Sequence, residues 1–133
     1  MIFDKHGVFK ETSVSIFFEG LDGMDKMTFI MEKLLGEPFT MIADEKVAYV
    51  KDYVKGVTVY ANGDTEAITL PKTNAIYYGM ENGDWICIRP SGTEPKLKIY
   101  TSISRQTLEC CEKTANSYNE FIRSSIDRIL EKR

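Results

Sequence analysis

The chain has 133 residues, of which 43% are hydrophobic and 11% aromatic, enough to build the core of one domain without metals or disulfides. Its 17 Lys and Arg residues and 20 Asp and Glu residues give a net charge of −3, which argues against general affinity for nucleic acid. The apolar stretches are only a few residues long and the first residues do not form a secretory signal, so we expect no membrane partner and a cytoplasmic location.

Side chains that bind metals or act as nucleophiles are scarce in this sequence. The only histidine is His6, which we expect to be an exposed bystander, and the three cysteines are Cys87, Cys110 and Cys111. An adjacent pair has poor geometry for a mutual disulfide, and the odd count favours a reducing compartment. We therefore expect no cofactor or metal in this chain. It is either a binding module or part of an enzyme whose chemistry lies elsewhere.

The first third of the chain predicts a strand followed by a helix. Residues 1–12 lack a clear period and are interpreted as a lead-in, whereas apolar and polar residues alternate over 13–19 as in a half-buried strand. A turn then follows, with Asp22 as the expected N-cap. Spacings of three and four predict a helix that ends at Gly36. Its apolar stripe consists of Met24, Met27, Ile30, Met31 and Leu34.

Short runs of β-branched and aromatic residues predict four more strands. These runs are Val47–Tyr53, Ile76–Met80, Trp85–Arg89 and Lys96–Ile103. Asn82-Gly83-Asp84 lies between two of them and fits a tight hairpin turn. Asn62-Gly63 is a second turn signal within residues 56–74, and the sequence leaves open whether this stretch is a loop or an extra hairpin.

A long amphipathic helix is predicted over Gln106–Glu131, where apolar residues recur at steps of three and four. The order of elements is therefore β-α-β-β-β-β-α. This order indicates an α+β fold in which an antiparallel sheet carries both helices on one face. Trp85, at the start of a strand, is expected to make a cross-strand aromatic contact. The consecutive Tyr77 and Tyr78 must point to opposite faces of the sheet.

One segment, residues 89–96, concentrates hydrogen-bond donors and turn-forming residues between two predicted strands. An anion such as a phosphate monoester needs several donors that converge on one point from a rigid backbone. Gly92 is expected to adopt a positive φ and to let the backbone approach the ligand. A plain Pro/Gly turn with solvated charges would use the same residue types, so these alone leave both interpretations open. The candidate ligands are Arg89, Ser91, Gly92, Thr93 and Lys96.

Arg89-Pro90-Ser91-Gly92-Thr93-Glu94-Pro95-Lys96 resembles the phosphate-binding loop of the α-D-phosphohexomutases. Leu70–Asn74, Gly83–Ile86 and Phe9–Glu11 also resemble phosphoglucomutase-type members, so that the likeness covers nearly the whole chain from about Gly7. It implies the C-terminal fourth domain of that family, whose fold is similar to a single repeat of the TATA-binding protein. The order of elements predicted above agrees with that fold.

The resemblance also implies a division of the chain and a role for the loop. Residues 1–12 would be the hinge and the tail of a preceding domain, and residues 13–133 the phosphate-binding domain. In the family this domain holds the substrate phosphate that is not being transferred. The implied ligands of that phosphate are Arg89, Ser91, Gly92 and Thr93, with Lys96 a weaker candidate.

The activity implied for the parent enzyme is the interconversion of hexose 1-phosphate and hexose 6-phosphate through a phosphoserine and a bisphosphorylated sugar. The sequence contains no Ser-His phosphoserine loop, no Asp-Gly-Asp magnesium loop and no Gly-Glu-x-Ser sugar-recognition loop. We therefore expect the chain to be inactive alone. Its expected partners are a hexose phosphate or hexose 1,6-bisphosphate and three missing domains, and magnesium is expected in the full-length enzyme. The alternative is a free-standing phosphosugar-binding or regulatory module, whereas nucleic-acid binding is disfavoured because the chain is acidic.

Overall fold

An antiparallel sheet organises the chain, which a computed structural model describes for residues 2–4 and 7–133; the expectation for His6 lies outside the described residues. The strands are β1 (Ile2–Asp4), β2 (Gly7–Phe17), β3 (Met41–Ile42), β4 (Glu45–Asp52), β5 (Val57–Tyr60), β6 (Thr65–Ala67), β7 (Ile76–Met80), β8 (Trp85–Pro90) and β9 (Lys96–Arg105). The helices are α1 (Gly23–Gly36) and α2 (Leu108–Glu131). The strand order is β1-β2-β9-β8-β7-β4-β5-β6, with β3 paired to β4.

The two faces of the sheet differ because side chains alternate along each strand. On β8 and β9 the buried aliphatic residues Ile86, Ile88, Leu97 and Ile99 lie on one face, which we call the inner face. Both helices pack on the inner face, and their buried residues join the same core cluster. The other face is called the open face. The predicted α+β fold, an antiparallel sheet with two helices, is confirmed.

The two helices begin and end close to their predicted bounds. The long helix starts at Leu108, where the Thr107 hydroxyl accepts a hydrogen bond from the Cys110 N–H as an N-cap. Asp22 stands at the N-cap position of α1 as predicted, although its side chain makes no capping hydrogen bond. The assignment of Met24 to the apolar stripe is wrong, because this side chain is exposed. Among the described residues, no helix is long and apolar enough to cross a membrane.

The predicted order of five strands is incomplete, because the described residues form nine. Residues 56–74 contain an extra hairpin of β5 and β6, which resolves the alternative that the sequence left open. The first long strand begins at Gly7 rather than Ser13, so residues 7–12 are paired with β9 and belong to the sheet. Their alternation is hard to recognise, since the exposed positions include Phe9 and the inner positions include Lys10. The division into a hinge over residues 1–12 and a domain over 13–133 stays a prediction.

A buried polar network joins the β7–β8 hairpin to β9 and α2. Asp84 is 3% exposed, and its carboxylate accepts hydrogen bonds from Arg105 Nη1 at 2.9 Å and Nη2 at 2.7 Å. The Tyr118 hydroxyl donates to the same carboxylate at 2.6 Å, and Asn82 donates to Tyr118 at 3.3 Å. The Asp84 N–H donates to the Asn82 side chain at 2.9 Å within the predicted turn, where Gly83 has φ +94°. Both oxygens of the buried Asp84 carboxylate therefore accept hydrogen bonds, which offset the cost of removing this charge from water.

Candidate phosphate-binding site

The segment singled out from the sequence is the connection between β8 and β9, which we call the anion loop (Ser91–Pro95). Its two ends are joined by a hydrogen bond from the Ser91 N–H to the Lys96 carbonyl oxygen at 2.9 Å. The Phe18 N–H, just beyond β2, donates to the Pro95 carbonyl oxygen at 2.8 Å. These contacts and the two prolines fix the loop against the end of the sheet.

The N-terminus of α1 lies against the anion loop at Gly23. A Cβ at this position would lie 2.5 Å from the Phe18 carbonyl oxygen and 3.0 Å from the Pro95 Cβ. Only glycine therefore allows the helix to start this close to the loop. From the sequence, Gly23 was interpreted as part of a turn, and nothing in its local pattern indicates this tertiary contact.

Backbone donors in the loop converge on one side chain. The Ser91 Oγ accepts from the N–H groups of Thr93 and Glu94, each at 3.4 Å. Both amides therefore point toward the same place, and the long distances leave the bonds weak. The Ser91 hydroxyl hydrogen is still available to an acceptor. Such a concave set of N–H and O–H donors suits an anionic oxygen.

The expectation that Gly92 adopts a positive φ is wrong. The glycines with positive φ in the described part of the chain are Gly20, Gly56, Gly63 and Gly83. A Cβ at Gly92 would meet nothing within 4 Å, so neither backbone strain nor packing within this chain requires a glycine there. Gly92 leaves open space at the tip of the loop. This space allows a ligand to approach the backbone closely.

Two cations lie side by side where β8 and β9 enter the loop. Arg89 is exposed and pairs directly across from Lys98, so both side chains project from the open face. Like charges directly opposite each other on a sheet are destabilising. Neither side chain has an ion-pair partner among the residues that the structure describes. This end of the open face therefore carries uncompensated positive charge beside the anion loop.

The remaining predicted cation, Lys96, contacts two other side chains of this chain, Glu94 and Phe17. Its Nζ lies 3.8 Å from a carboxylate oxygen of Glu94 and 5.3 Å from the centre of the Phe17 ring. Lys96 is thus partly neutralised, whereas Arg89 is not. Lys98 was not singled out from the sequence. The signal was present, because residues two apart on a strand share a face and Lys98 is two residues beyond Lys96.

Farther along the open face, aromatic rings form a row across three strands, β8, β7 and β4. Trp85 stacks on Tyr77 at 5.4 Å between ring centres, and Tyr77 stacks on Tyr49 at 6.2 Å. The cross-strand contact predicted for Trp85 is therefore confirmed. Tyr78 points to the opposite, inner face and is fully buried, as the alternation requires. Burial raises the pKa of Tyr77 well above its usual range, so this phenol stays neutral.

The described residues bring no three His, Cys, Asp or Glu side chains together as metal ligands. The carboxylate within the anion loop, that of Glu94, is paired with Lys96. The oxygen ligands that magnesium prefers are therefore not assembled here, and no step of a reaction is assigned to a metal in this chain.

Most of the chain is similar to known proteins. A family model described as "Phosphoglucomutase/phosphomannomutase, C-terminal domain" matches residues 42–109, which include the whole anion loop. A phosphoglucomutase of Staphylococcus saprophyticus is 39% identical over 109 residues, covering 81% of this chain and 20% of its own length. A phosphoglucomutase of Staphylococcus haemolyticus is 38% identical over 104 residues, covering 77% of this chain and 19% of its own length. The chain thus spans about a fifth of the length of these relatives.

Proposed function

Since this chain belongs to the phosphoglucomutase/phosphomannomutase C-terminal domain family, we propose that it binds the phosphate group of a hexose phosphate at the anion loop. The proposed ligands are the Arg89 guanidinium, the hydroxyls of Ser91 and Thr93, and the backbone at Gly92. Lys96 is a weaker ligand in this proposal, because Glu94 already partly neutralises it.

The observation that carries the proposal is the combination of converging donors with an unpaired cation. The amides of Thr93 and Glu94 meet at Ser91, and Arg89 enters the loop from β8 without an ion-pair partner among the described residues. A guanidinium binds two phosphate oxygens at once and stays charged at any relevant pH. Amides that donate to a serine hydroxyl also occur in plain turns, so Arg89 is the residue that favours an anion here.

In the proposed parent enzyme, a phosphohexomutase, this domain contributes binding rather than chemistry. The loop would hold whichever phosphate of a hexose 1,6-bisphosphate is not being transferred, and recognition of the phosphate rather than the ring would let it accept either end. The phosphoserine and a magnesium ion would belong to the three other domains. We accordingly propose that the chain alone is inactive. We also propose a cytoplasmic location for it.

The test is an NMR titration of the whole chain with glucose 1,6-bisphosphate and with inorganic phosphate, following the amides of Ser91, Gly92 and Thr93. A few charge-assisted contacts should give a dissociation constant on the order of a millimolar. We expect shifts confined to the anion loop and its neighbours, and their loss in Arg89→Ala. Arg123→Ala is the matched control, since it removes an exposed arginine of α2 and should leave the titration unchanged.

Two outcomes would contradict the proposal. One is the absence of shifts at the loop up to tens of millimolar ligand. The other is shifts that persist unchanged in Arg89→Ala, because binding that does not use the guanidinium would lie elsewhere or be nonspecific. In either case the segment would be a turn with solvated charges.

A further inference from the structure

A second cluster of charges lies beside the anion loop, at the start of α1. Asp22 Oδ2 is 2.7 Å from Arg133 Nη1, and Asp22 Oδ1 is 3.4 Å from Lys26 Nζ. We call these three residues the Asp22 ion cluster. Arg133 follows the end of α2, so the contact joins residues 111 apart in the sequence. Nothing in the sequence pattern around either residue indicates this pairing.

The Asp22 ion cluster contributes little to the stability of the fold. All three side chains are about one-third to one-half exposed, and ion pairs at such positions contribute little to stability. The Asp22 carboxylate does not cap α1 either. A structural role therefore does not account for two cations on one carboxylate.

The position of Asp22 gives it an electrostatic consequence for the anion loop. It directly precedes Gly23, where an added Cβ would lie 3.0 Å from the Pro95 Cβ, so Asp22 stands at the helix end that contacts the loop. A carboxylate on the same side of the molecule as an anion site disfavours the binding of an anion. The carboxylate within the loop, on Glu94, is likewise paired with a cation, Lys96. Asp22 and Glu94 are thus each paired with a basic residue.

We propose that Arg133 is a positioning residue for anion binding: it neutralises Asp22 and so keeps the field at the anion loop positive. This proposal rests on the proposed function, because it concerns the same site. It assigns Arg133 no contact with the ligand. The hydrogen bond from Arg133 also holds the pKa of Asp22 below its usual value.

The test measures the affinity of the whole chain for sulfate, by NMR, in the wild type and in Arg133→Gln, Asp22→Asn and the double variant. Sulfate is used because its charge does not change near neutral pH. At a constant total ionic strength of about 50 mM, Arg133→Gln should weaken binding by about two- to fivefold. Asp22→Asn should strengthen binding, and the double variant should return it to the wild-type value. The weakening should disappear at about 0.5 M ionic strength.

Several controls separate this effect from a loss of structure. Arg133→Lys should bind sulfate as the wild type does, since it keeps the charge. Arg123→Gln removes the same charge from an exposed site earlier on α2 and should change the affinity much less. Unchanged amide positions for core residues such as Ile86 and Ile99 would show that the fold is intact.

The proposal is overturned if Arg133→Gln binds sulfate as tightly as the wild type at low ionic strength. It is also overturned if the double variant stays as weak as Arg133→Gln, because the loss would then not depend on Asp22. If the wild type itself shows no binding at the anion loop, the proposed function fails and this proposal fails with it. Wild-type binding that is insensitive to Arg133 overturns only the present inference.

Discussion

At the scale of single residues, Gly79 shows how an absent side chain shapes the open face. It lies directly opposite Tyr49 in the β4–β7 pairing. The Tyr49 ring occupies the space where a Cβ of residue 79 would be, with its Cζ only 2.1 Å from that position. The ring thereby covers the glycine backbone and stacks beside Tyr77. The aromatic row depends on this missing Cβ, because the ring has no other way to lie across β7.

Gly79→Ala should therefore displace the Tyr49 ring and break its contact with Tyr77. Overpacking of this kind costs about 1–3 kcal/mol, which urea unfolding would measure as a lower free energy of unfolding. The near-UV circular dichroism of the stacked rings should also weaken. Gly36→Ala is the control, since a Cβ there meets nothing within 4 Å. Equal stability of the two variants would show that the Tyr49 ring is not tightly held.

The residue scale also shows what the sequence could indicate about the site. Arg89, Ser91 and Thr93 were identified because donor-rich residue types stand close together in the chain. Gly23 was not, because its relation to the loop comes from a tertiary contact. Lys98 was overlooked, although alternation along the predicted strand places it on the same face as Lys96. The φ of Gly92 was predicted wrongly, since the occurrence of glycine indicates conformational freedom but not which conformation is adopted.

At the scale of elements, the Asp84 network links three of them through one buried carboxylate. The turn between β7 and β8 supplies Asp84, the end of β9 supplies Arg105, and α2 supplies Tyr118. Removing the carboxylate leaves the Tyr118 hydroxyl, which is almost fully buried, with a single long hydrogen bond to Asn82. Breaking one partner of a buried ionic network is more costly than losing a surface pair.

Asp84→Ala should lower the free energy of unfolding by about 3 kcal/mol, near the lower end for buried pairs because Arg105 retains access to water. Urea unfolding measures this difference. Glu109→Ala is the comparison, because the exposed Glu109–Lys113 pair on α2 should contribute less than about 0.5 kcal/mol. Similar losses in the two variants would mean that the network contributes no more than a surface ion pair.

The same network makes a testable prediction for pH. Burial, and secondarily the charge of Asp84, raises the pKa of Tyr118 to about 12, against 10.0 for an unperturbed phenol. Between pH 10 and 12 the unfolded chain loses this proton and the folded chain keeps it, so the free energy of unfolding falls as pH rises. The contribution of this residue is fully present below pH 10.

Tyr118→Phe removes this contribution, and the comparison isolates it from the other tyrosines whose pKa is raised. Between pH 9 and 11 the wild type should lose about 1 kcal/mol more stability than the variant, since one pKa unit corresponds to about 1.4 kcal/mol. Urea unfolding at the two pH values measures the difference. Parallel pH dependences would mean that Tyr118 titrates alike in the folded and unfolded chain.

How well each element was predicted follows from how its residues are buried. The strand β7 was predicted from its run of β-branched and aromatic residues. The helix α2 was predicted nearly to its ends because its apolar residues repeat with a single period and face one core. The hairpin of β5 and β6 could not be decided, since every residue of β6 is exposed and leaves no alternating pattern. The first half of β2 was missed because its position in the sheet comes from ten paired residues of β9, which local sequence does not record.

At the scale of the whole molecule, stability and binding lie on different parts of the fold. Both helices and the inner face of the sheet form the core, whereas the anion loop lies at the end of β8 and β9 and contributes little to it. Arg89 and Lys98 have no ion-pair partner among the described residues and repel each other in the free chain. A bound anion would relieve that repulsion, so ligand binding should raise the stability of the whole molecule by linkage.

Inorganic phosphate should therefore raise the melting temperature through the anion loop. With a dissociation constant of about 1 mM, 20 mM phosphate contributes about 1.8 kcal/mol, or roughly 5 °C for a domain of this size. Phosphate also stabilises folded proteins by exclusion from their surface, and this part should remain in Arg89→Ala, whereas the site-specific part should be lost. Differential scanning calorimetry in phosphate and in chloride of equal ionic strength measures both. If Arg89→Ala shows the full shift, phosphate acts on the surface in general and the loop does not couple binding to folding.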